Sequence, residues 1–193
     1  MRRVNEATAD YGPLRALIGT WRGDRGVDIS PEPDGSDENA YSETIRFTAA
    51  GDVDNAATQE LAIVRYHQIV TRKRDGEVFH DQVGFWTWEP AAGIVAQSIA
   101  IPRGVALLAG GRFAGAGPDG EIVLEVSARR GDDDWGIVEA PFMRDHASTL
   151  AFHHRLVVRG DRLEYDETTT LAIYGREFAH QDRNRLLRST DRG

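Results

Sequence analysis

Residues 163–188 read LEYDETTTLAIYGREFAHQDRNRLLR, and the order of side chains in this stretch decides the fold. Leu163, Tyr165, Thr169, Leu171 and Ile173 share one parity and Glu164, Asp166, Thr168 and Thr170 the other, which is the two-residue period of a half-buried strand. Glu167 alone breaks the pattern. Tyr174-Gly175 interrupts the run, and a polar segment carrying one histidine, His180, follows. A hairpin of this kind at the end of a chain is where an antiparallel sheet can close on itself.

The same alternation runs backwards through the chain. Leu150, Phe152, Leu156 and Val158 alternate with Thr149, Ala151, Arg155 and Arg159; Ile122, Leu124, Val126 and Ala128 form a one-sided strand, and Tyr41, Glu43, Ile45 and Phe47 another. Between them lie residues 60–72, 78–88, 94–101 and 105–113, separated by turn sequences such as Asp75-Gly76 and Pro102-Arg103-Gly104. Helical periodicity is absent here, so sequential neighbours pair up and down, and closing the sheet removes its exposed edges. The expectation is an all-β fold: a single antiparallel up-and-down barrel of about ten strands, wide enough to be packed or to hold one small ligand.

Residues 5–18 end at Gly19 and combine Pro13, Leu14, Leu17 and Ile18 into short helical turns that would lid or plug the barrel. Residues 30–40, SPEPDGSDENA, have the composition of a solvated loop and are assigned no chemistry. The whole chain, 1–193, reads as one domain: an N-terminal helical segment (1–18), the barrel (19–188) and a tail (189–193).

A formal charge of −8 argues against nucleic acid and anionic lipid, which require clustered excess Lys and Arg. The chain has no cysteine, which excludes disulfides, thiolate metal sites and a cysteine nucleophile. No secretory signal and no apolar run of membrane-spanning length is present, so no membrane insertion and a cytoplasmic location are expected. There is no HExxH, no Gly-x-Ser-x-Gly elbow and no phosphate-cradling GxxxxGK[ST], which leaves hydrolytic chemistry without apparatus.

Three pieces resemble a known family. Gly19-Thr20-Trp21 resembles the Gly-x-Trp opening of lipocalins and fatty-acid-binding-protein-like barrels. FHDQVGFW (79–86) resembles a strand of the nitrobindins, haem-binding barrels of that superfamily, and LAIYGREFAHQDRNRLLR (171–188) resembles their C-terminus. The resemblance implies haem b held by a histidine near the C-terminus, with nitric oxide binding or peroxynitrite isomerase-like chemistry. It also implies Arg185 or Arg188 stacked on Trp21. Aligned backwards from Leu186, His180 meets the first residue of the family's histidine pair, Gln181 the usual ligand position, and Asp182 the usual apolar position. Either His180 ligates iron after a one-residue shift, or this branch keeps the barrel without the iron.

The candidate cofactor-binding residues are therefore His180, His80 and His154, with His180 the candidate iron ligand; Asp182 and Glu177 could receive its other ring N–H. His154 falls on the apolar parity of its strand and His153 on the other, so the two cannot chelate one ion. His80, Gln82 and Trp86 share a parity, which makes Gln82 and Trp86 candidate pocket residues. Glu43 and Glu167 lie on otherwise apolar faces and are expected to pair with Arg65, Arg103, Arg144 or Arg155. The alternative to haem is a haem-free carrier or sensor of a fatty acid or other small apolar molecule gripped by an interior Arg and Tyr. Catalytic residues and homodimer formation are left open by the sequence.

Overall fold

The structure, a computed structural model, describes residues 3–4, 9–56 and 58–190. Residues 5–8 of the expected helical segment and 191–193 of the expected tail lie outside them. Ten antiparallel strands close into a barrel: β2 (Gly19–Glu32), β3 (Gly35–Asn55), β4 (Gln59–Arg72), β5 (Val78–Glu89), β6 (Ile94–Ile101), β7 (Val105–Arg112), β8 (Ile122–Arg129), β10 (Ala147–Arg159), β11 (Arg162–Ile173) and β12 (Arg176–Arg188). Each pairs with its sequence neighbour among the ten, and β12 pairs with β2 to complete the ring. Two short strands are additions: β1 (Arg3–Val4) on β3 and β9 (Ile137–Glu139) on β7. Among the described residues no helix is long and apolar enough to cross a membrane.

The period-2 pattern becomes burial. On β10, Phe152, His154, Leu156 and Val158 are buried while His153 and Arg155 are exposed. On β12, Asn184 and Leu186 are buried and Arg183, Arg185 and Leu187 are exposed. The turn between β11 and β12 is Tyr174-Gly175, both at positive φ (53° and 75°), the backbone that a two-residue hairpin needs to match strand twist.

One end of the barrel is sealed. A 3-10 turn, Gly12–Ala16, seats Leu14, and Leu17 follows it; both side chains are fully buried. The turn fits under Trp88 because Gly12 has no Cβ: one added there would lie 2.4 Å from the indole. Beside the plug, Trp21 donates from Nε1 to the Leu17 carbonyl at 2.6 Å. The Arg188 guanidinium lies over its ring at 4.1 Å and donates to the carbonyls of Ile18 (2.6 Å) and Ala16 (2.9 Å). Arg188 thus satisfies carbonyls that a short 3-10 turn leaves free and ties the last strand to the plug. Arg185 is exposed and pairs with Glu164 instead.

Three features differ from the sequence reading. Residues 30–40 are not a loop: β2 runs to Glu32, β3 begins at Gly35, and Pro31 pairs with Ser36. Pro31 is tolerated because it lies beyond Ile29, the last residue of β2 that pairs with β12, where β2 is an edge on that side. Second, the strand read from Tyr41 to Phe47 runs on to Asn55, through a bulge between Ala49 and Asp52 with Gly51 at φ 83°. Third, the connection from β8 to β10 carries β9 and a six-residue helix, α1 (Pro141–His146), which opens with proline in its first turn, buries no residue and is too short for periodicity to register.

Replacing Trp21 with phenylalanine keeps a ring in the core but strands the Leu17 carbonyl and weakens the Arg188 stack. A loss of about 1–3 kcal/mol in urea unfolding is expected, against less than about 0.5 kcal/mol for Val83→Ser on the exposed outer face.

Candidate functional site

The other end of the barrel is open. His180 and Arg188 are eight residues apart on β12, roughly 26 Å of strand, so His180 sits far from the plug. Along the β11–β12 ladder, facing inward, the cross-strand pairs run Leu163–Leu186, Tyr165–Asn184, Glu167–Asp182, Thr169–His180. Polarity rises step by step from sealed base to open mouth.

The register explains why Glu167 breaks the alternation of its strand. His154 stands opposite Glu167, Glu167 opposite Asp182, Asp182 opposite Asp28, and Asp28 opposite Asn39. Three acids therefore occupy consecutive places on one inward rung, where like charges face each other directly and repel. The rung borders a cavity of about 190 Å³ walled also by Gln68, Val70, Phe79, His80, Tyr165 and His180, with Arg72, Arg74 and Arg103 among its lining residues.

His180 is the cation of this cluster. Its Nε2 lies 2.6 Å from Asp28 Oδ1 and 3.4 Å from Asp182 Oδ2. Burial alone would lower the pKa of the imidazole, but the Asp28 hydrogen bond and the charges of Asp182, Asp28 and Glu167 outweigh it and hold it above the ordinary histidine value. Burial pushes Asp28 up, and the bond and charge of His180, with hydrogen bonds from Asn39 and Ser30, bring it below the usual carboxylate range. Asp182 is raised to about 7 by burial and by Asp28, and Glu167 to about 8 by burial, Asp182 and Glu43. His180 faces inward, on the parity of Asn184 and Leu186, and Gln181 is exposed.

Below the rung, Glu43 is buried without a cation. It accepts from Tyr165 Oη (2.9 Å), Asn184 Nδ2 (2.7 Å) and Gln68 Nε2 (2.8 Å), and burial raises it to about 7 despite those bonds. The expected arginine partners are not there: Arg65 and Arg155 are exposed, Arg144 pairs with Asp145, Arg103 stays at the cavity rim, and Glu167 has His154 at 3.8 Å instead. Glycine at 26 makes room for Tyr41, whose ring would lie 2.0 Å from a Cβ there, and whose hydroxyl meets that of Tyr165 at 2.7 Å. Both tyrosines are engaged, with each other and with Glu43, and the arginines that line the cavity bordered by Tyr165 are Arg72, Arg74 and Arg103.

The three candidate histidines do not form one ligand set. His180 and His80 line the mouth cavity, whereas His154 and Trp86 border a separate void of about 10 Å³ deeper in the barrel. A chain of hydrogen bonds links the levels: His80 to Gln82 (3.1 Å), Gln82 to Tyr66 (2.7 Å), Gln97 to Tyr66 (3.2 Å) and His154 Nδ1 to Gln97 (2.9 Å). Burial holds His154 neutral, at about 3, and its Nε2 has no hydrogen-bond partner among the described residues. Glu177 is exposed and remote from the His180 bond to Asp28. Asp28 and Asn39 are not among the sequence candidates, Asn39 because it falls inside the expected loop; alternation carried through residues 27–41 places both on the buried parity.

Fold and site together define a closed antiparallel β-barrel, plugged at one end and opening on a polar cavity at the other. Residues 10–188 match the family model described as "THAP4-like, heme-binding beta-barrel domain", and the chain belongs to that family. Among solved structures it is similar to Rv2717c from M. tuberculosis, with a TM-score of 0.68 and 24% identity over 93% of this chain and 99% of that one, a likeness of fold. No curated protein matches it.

Whether these residues fit a haem turns on one atom. An axial histidine must offer a neutral nitrogen to iron, and His180 Nε2 is engaged by Asp28, which is 3% exposed. Drawing His180 away leaves that carboxylate buried with no cation and only its hydrogen bonds from Asn39 and Ser30, at a cost on the order of 3 kcal/mol. The cavity is also smaller than the roughly 300–1,000 Å³ that drug-sized guests occupy, and its walls carry Asp28, Glu32, Asp37, Glu167 and Asp182. As arranged, the residues do not fit.

The acids give the fold a distinctive pH dependence. Glu43, Glu167 and Asp182 have folded pKa values above their unfolded ones, so between about pH 4.5 and pH 8 the native state binds more protons and stability falls as pH rises. His180, also raised, adds to the fall above its unfolded value; His154 and His80, both lowered by burial, oppose it below about pH 6.5, His154 as one group against three acids; and Asp28, lowered, acts only at the acid end, where its stabilisation is lost as pH drops. Denaturant unfolding should show stability decreasing by a few kcal/mol from pH 5.5 to pH 8, and Asp182→Asn should flatten the profile by about 1–3 kcal/mol. A profile that rises over this interval would contradict the assignment.

Proposed function

We propose that the chain is a haem-free member of its family that binds a small polar guest in the open end of the barrel, among His80, Glu167, His180 and Asp182. The observation that carries this reading is the 2.6 Å contact between His180 Nε2 and Asp28, which engages the nitrogen through which His180 would bind iron. The acidic rung sets the preference: a guest that brings positive charge or hydrogen-bond donors relieves the repulsion, and a fatty carboxylate would increase it.

Family membership supports a second reading, in which haem b is held by His180 and nitric oxide or peroxynitrite is the small molecule handled. Arg72, Arg74 and Arg103 on the cavity wall are the groups that would favour its propionates. That reading requires Asp28 to release His180.

Titrating hemin into the purified protein separates the two. The expected result is a spectrum that stays that of free hemin. A shifted Soret band in the wild type that disappears in His180→Ala would overturn the haem-free reading and establish the other.

A further inference from the structure

Resting on that haem-free reading, we infer that the guest is a bare divalent transition-metal cation, held by the carboxylates of Asp28 and Asp182 and the imidazole of His180. One ligand atom from each of these residues lies within 4.8 Å of the other two. For metal–ligand bonds of 2.0–2.2 Å, the edges of a tetrahedral site are about 3.3 Å. The 3.4 Å between His180 Nε2 and Asp182 Oδ2 already has that length, and the 2.6 Å between Nε2 and Asp28 Oδ1 must open by less than about 1 Å.

The same geometry explains why a free cation fits where a haem iron does not. In haem, four equatorial positions are filled by pyrrole nitrogens, so the carboxylates crowding His180 Nε2 would have to leave. A bare cation instead accepts both carboxylates and the imidazole as ligands, and it takes the place of the proton shared between His180 and Asp28, which passes to solvent. Oxygen and imidazole donors together suit zinc, cobalt or manganese rather than the thiophilic copper(I).

Two further observations point to the same place. The cluster opens on the 190 Å³ cavity, which leaves room for the water molecules or small anion that would complete the coordination. Asn39, only 6% exposed and on the wall of that cavity, donates through Nδ2 to Asp28 Oδ2 at 3.2 Å and also to Asp37 (3.1 Å) and Ser30 (3.4 Å), while its buried Oδ1 has no partner among the described residues. Asn39 is thus the positioning residue for Asp28, and the Asp28–Asp182 opposition is a cross-strand clash of charge that two positive charges would resolve.

The test is a titration of metal-free full-length protein with Co²⁺, followed by visible absorption, and with Zn²⁺ by calorimetry. One equivalent is expected to bind, with the cobalt spectrum gaining intensity over the aquo ion. Asp182→Asn and His180→Gln, both checked for native circular dichroism, should each bind at least about tenfold more weakly. The double variant His67→Ala/His153→Ala, which removes the exposed imidazole–carboxylate pairs, should bind as the wild type does. In the folded wild type, Mn²⁺ should broaden the His180 imidazole resonances most. Absence of stoichiometric binding, binding unaltered in Asp182→Asn, or binding lost in the surface double variant would overturn the inference. If neither hemin nor Co²⁺ binds, the cation inference falls and the haem-free reading stands; if hemin binds through His180, that reading falls with it.

Discussion

Closure of the barrel through β12 on β2 is the constraint from which the site follows. That pairing sets Arg188 against Trp21 at the base and Asp182 against Asp28 nearer the mouth. Between these contacts the pairing shifts by one residue at a bulge between Arg183 and Leu187, so the two ends of the seam are in different register. The base contact is well bonded through Arg188. Beyond the bulge the acids of Asp182 and Asp28 stand opposite each other, and His180, 2.6 Å from Asp28, makes that contact tolerable.

The interior is consequently graded. Near the plug, Trp21, Leu14, Leu17, Leu163 and Leu186 form a dry base. At mid-height, Glu43 is satisfied by a tyrosine, an asparagine and a glutamine rather than by a cation, and His154 is neutral among aromatic rings. At the mouth, charge appears. Buried carboxyls without arginine are costly unless something neutralises them, and here the neutralising agent is protons, which a guest can displace. In this arrangement Nε2 of His180, the inward imidazole nearest the mouth acids, is engaged by Asp28.

Much of the fold was legible because alternation survives into burial without loss. The strands from Gln59 to Ile101, the final hairpin at Tyr174-Gly175, and the inward parity of His154 and Glu167 all follow from reading every second residue. The hairpin of residues 30–40 was not legible, because its turn-like composition reflects strands projecting beyond the β12 pairing, where they need no apolar face. That misreading concealed Asn39 and part of the cavity wall. The arginines expected to pair with Glu43 and Glu167 were misplaced for a related reason: parity says that a side chain points inward but not which donors it meets there.

From its sequence alone, this protein is determined to be an all-β chain of sequentially paired strands, with Glu43, Glu167 and His154 turned away from water, since periodicity and turn chemistry are local properties. Only the tertiary structure decides that Asp28 and Asp182, 154 residues apart, stand face to face with His180 between them. Register across the closing seam changes at a bulge between Arg183 and Leu187, and the period-two pattern of either strand does not encode which residue of its partner it meets.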